Sequence, residues 1–138
     1  MTLVTLNAKE LLVIIQHSVA GIAPGATPGS FPQIAGLAFS FDPDLPAGKR
    51  VKSLAIKDGK GKIIDVVVKN AELVGDSNRI FRAVTLNFLA NGGDGYPFPK
   101  RERVDLIRTY ARVTENEPQR AQRSRRNESL RGFLRKSY

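Results

Sequence analysis

The 138 residues contain no cysteine, so disulfides, thiolate nucleophiles and cysteine-based zinc sites are excluded. That absence leaves the compartment open, because many exported chains also lack cysteine. Histidine is almost as scarce, with His17 standing alone. A dinuclear metal hydrolase needs several His and Asp ligands converging on one point. One histidine and no cysteine do not supply such a centre, so no metal or other cofactor is expected within this chain. Metal-free histidine catalysis would rest on His17 alone. No apolar run approaches the roughly 20 residues that cross a bilayer, so no transmembrane segment is expected. The aliphatic run Leu11–Ile15 follows Lys9 and Glu10, with no small-residue cleavage pattern after it. It reads as a core element and not as a signal peptide. No internal repeat is visible.

What is present suits a globular chain: 41% of residues are hydrophobic and 25% charged. The net charge of +9 is unevenly spread. Residues 100–138 hold twelve Lys or Arg against five Asp or Glu, while the preceding residues hold ten against eight. The body is nearly balanced and the tail carries the excess. Such a tail can attract nucleic acid, anionic lipid or an acidic partner.

Thr2–Leu6 alternates as a strand start. Asn7-Ala8-Lys9-Glu10 has the form of a capping box, and Leu11, Leu12, Ile15 and Val19 follow at helical spacing. The pattern predicts a helix from about Ala8 to Val19, stopped near Gly21. Residues 21–32, rich in Gly and Pro, form a loop. Strands are expected at Gln33–Phe41, Arg50–Lys57, Ile63–Val68 and Arg79–Leu86. The first two are separated by the turn Asp42–Gly48, and Asp58-Gly59-Lys60-Gly61 marks a hairpin. Asn87–Tyr96 reads as a loop, and Arg101–Val113 as a helix with Val104, Ile107, Tyr110 and Ala111 on one side. Residues 119–129 are nearly devoid of hydrophobic side chains, and Leu130, Phe133 and Leu134 form a small apolar stripe. The order predicts an α+β fold with a mixed, largely antiparallel sheet and packed helices. Its expected divisions are a domain at 1–99, a helix and connector at 100–118, and a basic tail at 119–138.

The segment Thr85 to Tyr96 holds the chemistry. It sets a ring, Phe88, just after a strand, and a carboxylate, Asp94, within a glycine-rich turn. A ring stacks on a nucleobase for about 1–3 kcal/mol whatever the base. A carboxylate accepts hydrogen bonds from the hydroxyls of a ribose. Glycines admit positive φ and close backbone approach to a ligand. On composition alone, a core Phe88 and an ordinary tight turn explain the segment better. His17 is expected to be structural, on a helix near the core face. Lys57, Lys60 and Lys62 flank a solvated hairpin. Asp42 and Asp44 raise calcium as an idea, but Pro43 and Pro46 favour a plain turn.

Asn87-Phe88-Leu89-Ala90-Asn91-Gly92-Gly93-Asp94-Gly95-Tyr96 resembles the signature of the C-terminal domain of the 5′-nucleotidase family, which includes bacterial UDP-sugar hydrolases and ectonucleotidases. Leu12–Val19, with Gln16-His17-Ser18-Val19, is similar to a family helix ending in Glu-His-Ser-Val. Gly29–Phe41, with Gln33, Gly36-Leu37 and then Asp42-Pro43, is similar to the strand that follows. Gly48-Lys49-Arg50-Val51 is similar to the turn into the next strand. The resemblance runs over about residues 2–98 and implies the fold of that domain. It further implies that Phe88 stacks on the base and that Asp94 binds the ribose hydroxyls, with Asn87, Gly92 and Gly93 shaping the loop.

In that family, catalysis belongs to a separate N-terminal metallophosphoesterase domain with two divalent metals, and domain rotation delivers the substrate. The resemblance places that domain outside this chain. The same holds for the front of the C-terminal domain, with its phosphate-contacting arginines and second aromatic face. The tail after Pro99 departs from the family's ending. The expectation is therefore a nucleotide-recognising part of a phosphohydrolase, inactive by itself, in a family often periplasmic or extracellular. Two alternatives stand beside it: a polyanion-binding module working through Arg123, Arg125 and Arg126, and a non-catalytic homo-oligomerising remnant.

Overall fold

A computed structural model describes residues 1–26 and 28–109. Two units divide the chain, Met1–Val104 and Asp105–Tyr138. The first unit begins with strand β1 (Thr2–Asn7), whose alternation buries Thr2, Val4 and Leu6. It runs directly into helix α1 (Ala8–Ser18), and the junction is the capping box that the sequence predicts. Asn7 is extended at φ −89° and ψ 172°, and its Oδ1 accepts the Glu10 amide at 2.9 Å. Glu10 Oε2 accepts the Asn7 amide in return, also at 2.9 Å. Both Glu10 oxygens also receive the Arg101 guanidinium, at 2.7 and 2.8 Å. The helix buries Leu11, Ile14, Ile15 and Ser18.

The end of α1 is held by Arg50. Its Nη1 donates to the carbonyls of Val19, Ala20 and Ile22 at 2.7 to 3.0 Å, and its Nε to that of Leu45 at 2.8 Å. One cation thereby ties together the C-cap carbonyl of Val19 and two carbonyls of the turn beyond the helix. Gln16 Oε1 accepts the backbone amides of Arg50 and Val51, which fastens the helix to the start of the next sheet.

That sheet has the order β2-β3-β4-β5: β2 (Leu37–Phe41), β3 (Val51–Lys57), β4 (Ile63–Lys69) and β5 (Glu72–Leu73). All its pairings are antiparallel. The β3–β4 hairpin turns where Asp58 Oδ1 accepts the amides of Lys60 and Lys62, each at 2.9 Å, with Gly61 at φ 82°. β2 starts later than the expected strand, since Gln33–Gly36 stays in the loop. β5 was not anticipated; the chain reverses through Asn70 and Ala71, both at positive φ.

The second sheet has the order β6-β1-β7, formed by β6 (Ile80–Thr85), β1 and β7 (Arg103–Asp105). β6 runs antiparallel to β1, with Leu6 opposite Phe81 and Val4 opposite Ala83. α1 packs on elements of both sheets. The core gathers Val4, Leu6, Leu11, Ile14, Ile15, Val19, Val51, Leu54, Val67 and Val68. Each fully buried aliphatic side chain contributes about 1.5–3 kcal/mol. The architecture is α+β, as the sequence indicates, with its strands split between two sheets and not joined in one.

Two expectations are corrected. Asn87–Tyr96 is not plain loop: it contains helix α2 (Asn87–Ala90) and a 3-10 turn at Gly93–Gly95. The helix expected from Arg101 does not start there, because Arg103–Asp105 is strand beside β1 and Glu102 has φ 49°. Helical residues begin only at Leu106, where Asp105 Oδ1 accepts the amides of Ile107 and Arg108. The remainder of that helix, the basic stretch and the Leu130, Phe133 and Leu134 stripe lie outside the described residues. Among the described residues, no helix is long and apolar enough to cross a membrane.

Candidate functional site

A cleft of about 850 Å³ opens between the two sheets. β6 borders it on one side, and the Gly29–Gly36 loop leading into β2 on the other. Its floor is apolar, with Leu6, Leu11, Ile14 and Ile15 from β1 and α1. Phe88 and Asp94 both line it.

The segment bearing these two residues is folded by local rules. β6 ends at Thr85, and Asn87 is fixed by its Oδ1 accepting the Thr2 hydroxyl at 2.7 Å. One helical turn follows, anchored by buried Ala90. The chain then reverses through Gly92 at φ 94°, Asp94 at φ 52° and Gly95 at φ 73°. Aspartate tolerates the left-handed region better than most residues, and glycine enters it freely. The reversal brings the Gly93 backbone against the Phe88 ring, where a methyl group at Gly93 would overlap ring carbons Cδ1, Cε1 and Cζ. Phe88 thus rests on Gly93 with 60% of its surface exposed. It is not a core residue. Asp94 is also exposed, and among the described residues no cation forms an ion pair with its carboxylate.

The base of this loop is built from two further side chains. His17 Nε2 lies 2.8 Å from the Asp94 carbonyl oxygen. Its ring meets Tyr96 edge-on, with centroids 4.9 Å apart at 66°. Tyr96 is buried, and its hydroxyl donates to the Ser30 carbonyl. Burial, and secondarily the Asp94 charge, push that phenol above its ordinary range. Tyr96 also stacks on Phe98 at 5.8 Å.

Phe31, next to Ser30, is the residue that sequence reading passed over. It lines the same cleft and is 45% exposed, with its ring about 6 Å from those of Phe39 and Phe41. The available signal was an aromatic side chain stranded in a Gly- and Pro-rich loop, where no periodicity assigns it to a core. Asp42 and Asp44 form a simple turn, with Asp42 Oδ1 accepting the Asp44 amide at 3.1 Å. Among the described residues, no group of three or more His, Asp or Glu side chains could hold a metal ion. Arg123, Arg125 and Arg126 lie outside the described residues.

Fold and cleft together define an α+β domain with an open groove between two antiparallel sheets. Residues 2–101 match the family described as 5′-nucleotidase, C-terminal domain, and the chain belongs to that family. It is 26% identical over 91 residues to the trifunctional nucleotide phosphoesterase protein YfkN of Bacillus subtilis, a match covering 66% of this chain and 6% of that protein. It is also similar to the crystal structure of a 5′-nucleotidase precursor from Thermus thermophilus, with 32% identity and a TM-score of 0.60. That likeness covers 76% of this chain and 19% of the Thermus chain. This chain therefore spans a small fraction of either relative.

Proposed function

We propose that the cleft seats the nucleoside part of a nucleotide, as the recognition element of a 5′-nucleotidase-type phosphohydrolase. Phe88 stacks on the base and Asp94 accepts hydrogen bonds from the ribose hydroxyls. Asn87, Gly92 and Gly93 hold the two in register. One observation carries the reading: an exposed ring, and a carboxylate with no ion-pair partner among the described residues, line one cleft and are joined by a short segment of defined backbone. Phe31 on the same cleft offers a second aromatic surface for the base. A base between aromatic faces loses water on both sides, and a carboxylate accepts from both cis hydroxyls of a ribose at once. Stacking is permissive, so purines and pyrimidines are both accommodated.

Hydrolysis is not assigned to this chain. The nucleotide phosphoesterase and the 5′-nucleotidase precursor that this chain resembles are both far longer than it. In our reading the metal-dependent step belongs to a separate domain. Calorimetric titration with AMP and UMP tests the binding role. Phe88→Ala and Asp94→Ala are each expected to weaken binding by about 1–3 kcal/mol. Equal affinities for both variants and the unaltered chain would refute the assignment. In a phosphate-release assay with AMP and added manganese, the chain alone is expected to be silent.

A further inference from the structure

We infer that His17 is a positioning residue for sugar recognition, acting through the Asp94 backbone. This rests on the nucleoside reading above and deepens it. His17 is not among the residues that line the cleft. It faces a separate depression of about 400 Å³ on α1, which it shares with Gln16, Gly95 and Pro97. The imidazole thus reaches the recognition loop without lining the surface that a ligand would occupy.

What it does there follows from the geometry. Asp94 sits in the left-handed region, which aspartate tolerates better than most non-glycine residues but still at some cost that its surroundings must offset. Its side chain has no ion-pair partner among the described residues, so the restraint comes from the backbone. The 2.8 Å contact from His17 Nε2 to the Asp94 carbonyl is the one side-chain hydrogen bond to this residue among the described residues. With the Nε2–H tautomer the ring donates, and the carbonyl orientation is set. A Cβ at Gly95 would come within 3.2 Å of His17 Cε1, so the ring also fills the space behind the turn. The edge contact with Tyr96 fixes the ring's orientation. Turning the Asp94 peptide would swing its carboxylate away from the cleft. Phe88, resting on Gly93 and carried by α2, would stay where it is.

The prediction is a split between sugar and base. The probes are AMP and its 2′,3′-dideoxy analogue, titrated against the full 138-residue chain. The unaltered chain should prefer AMP by at least about tenfold, because the analogue lacks both hydroxyls whose charge-assisted hydrogen bonds Asp94 would accept. His17→Leu fills the space without a donor. It should bring that preference close to one while leaving affinity for the dideoxy analogue unchanged. His17→Gln places an amide N–H near the position of Nε2 and should restore the preference. Hydrogen exchange at the Gly95 and Tyr96 amides, which donate to Gly92 and Gly93, should quicken in His17→Leu and slow again in His17→Gln. If the unaltered chain binds both probes equally, the nucleoside reading falls and this inference with it. If it prefers AMP and His17→Leu keeps the full preference, or weakens both probes alike, the positioning role alone is overturned.

Discussion

Each residue of the Phe88–Tyr96 segment owes its place to a different constraint, so substitutions should fail in different ways. Gly93 is needed for space. Gly93→Ala is expected to lift the Phe88 ring and lower affinity for AMP about as much as Phe88→Ala does, with little change in thermal stability. Asp94 combines charge with a left-handed backbone, and asparagine shares the second property but not the first. Asp94→Asn should therefore keep the fold and lose preference for ribose, whereas Asp94→Val should also strain the turn. A melting curve beside a titration separates the two outcomes. Tyr96→Phe removes only the hydroxyl that reaches Ser30, and should loosen the Phe31 loop before it disturbs Asp94.

At the scale of elements, α1 is held at its start by Asn7 and Glu10 and at its end by Arg50. Asn7→Ala is expected to cost about 1 kcal/mol. Hydrogen bonding from Arg101 holds the Glu10 carboxyl below its ordinary value of 4.5, outweighing the opposing effect of burial. A lowered folded value means stability that is present above pH 4.5 and lost as the pH falls through that lower value. Acid unfolding should show this below pH 4.5, and Glu10→Gln should flatten it. Arg50→Ala strips several carbonyls of one shared donor, with an expected cost of about 1.5–3 kcal/mol in chemical denaturation. Lysine cannot reproduce the fork, so Arg50→Lys should recover only part.

These elements were unequally legible in the sequence. The capping box and the β3–β4 hairpin were readable because their partners lie within a few residues of one another. β7 was not, because three residues acquire strand geometry only beside β1, about 100 positions earlier. α2 is a single turn, too short to display a helical period.

For the molecule as a whole, the motif spanning Phe88 and Asp94 could be read as a unit, since its chemistry lies within seven consecutive residues. Phe31 could not, because it reaches the cleft through a fold that brings Ser30 to Tyr96 across 66 positions. Arg50 was legible only as part of a turn, since its acceptors lie on carbonyls that no side-chain pattern advertises. The two strands flanking the cleft, β6 and β2, are the edges of different sheets, with no main-chain ladder between them. Its breadth is therefore governed by the aliphatic padding of α1, a soft spacer compared with a hydrogen-bonded ribbon. Thinning that spacer with Ile14→Val should narrow the gape and shift the relative affinities for AMP and UMP, at a cost of only about 0.5–1.5 kcal/mol in stability.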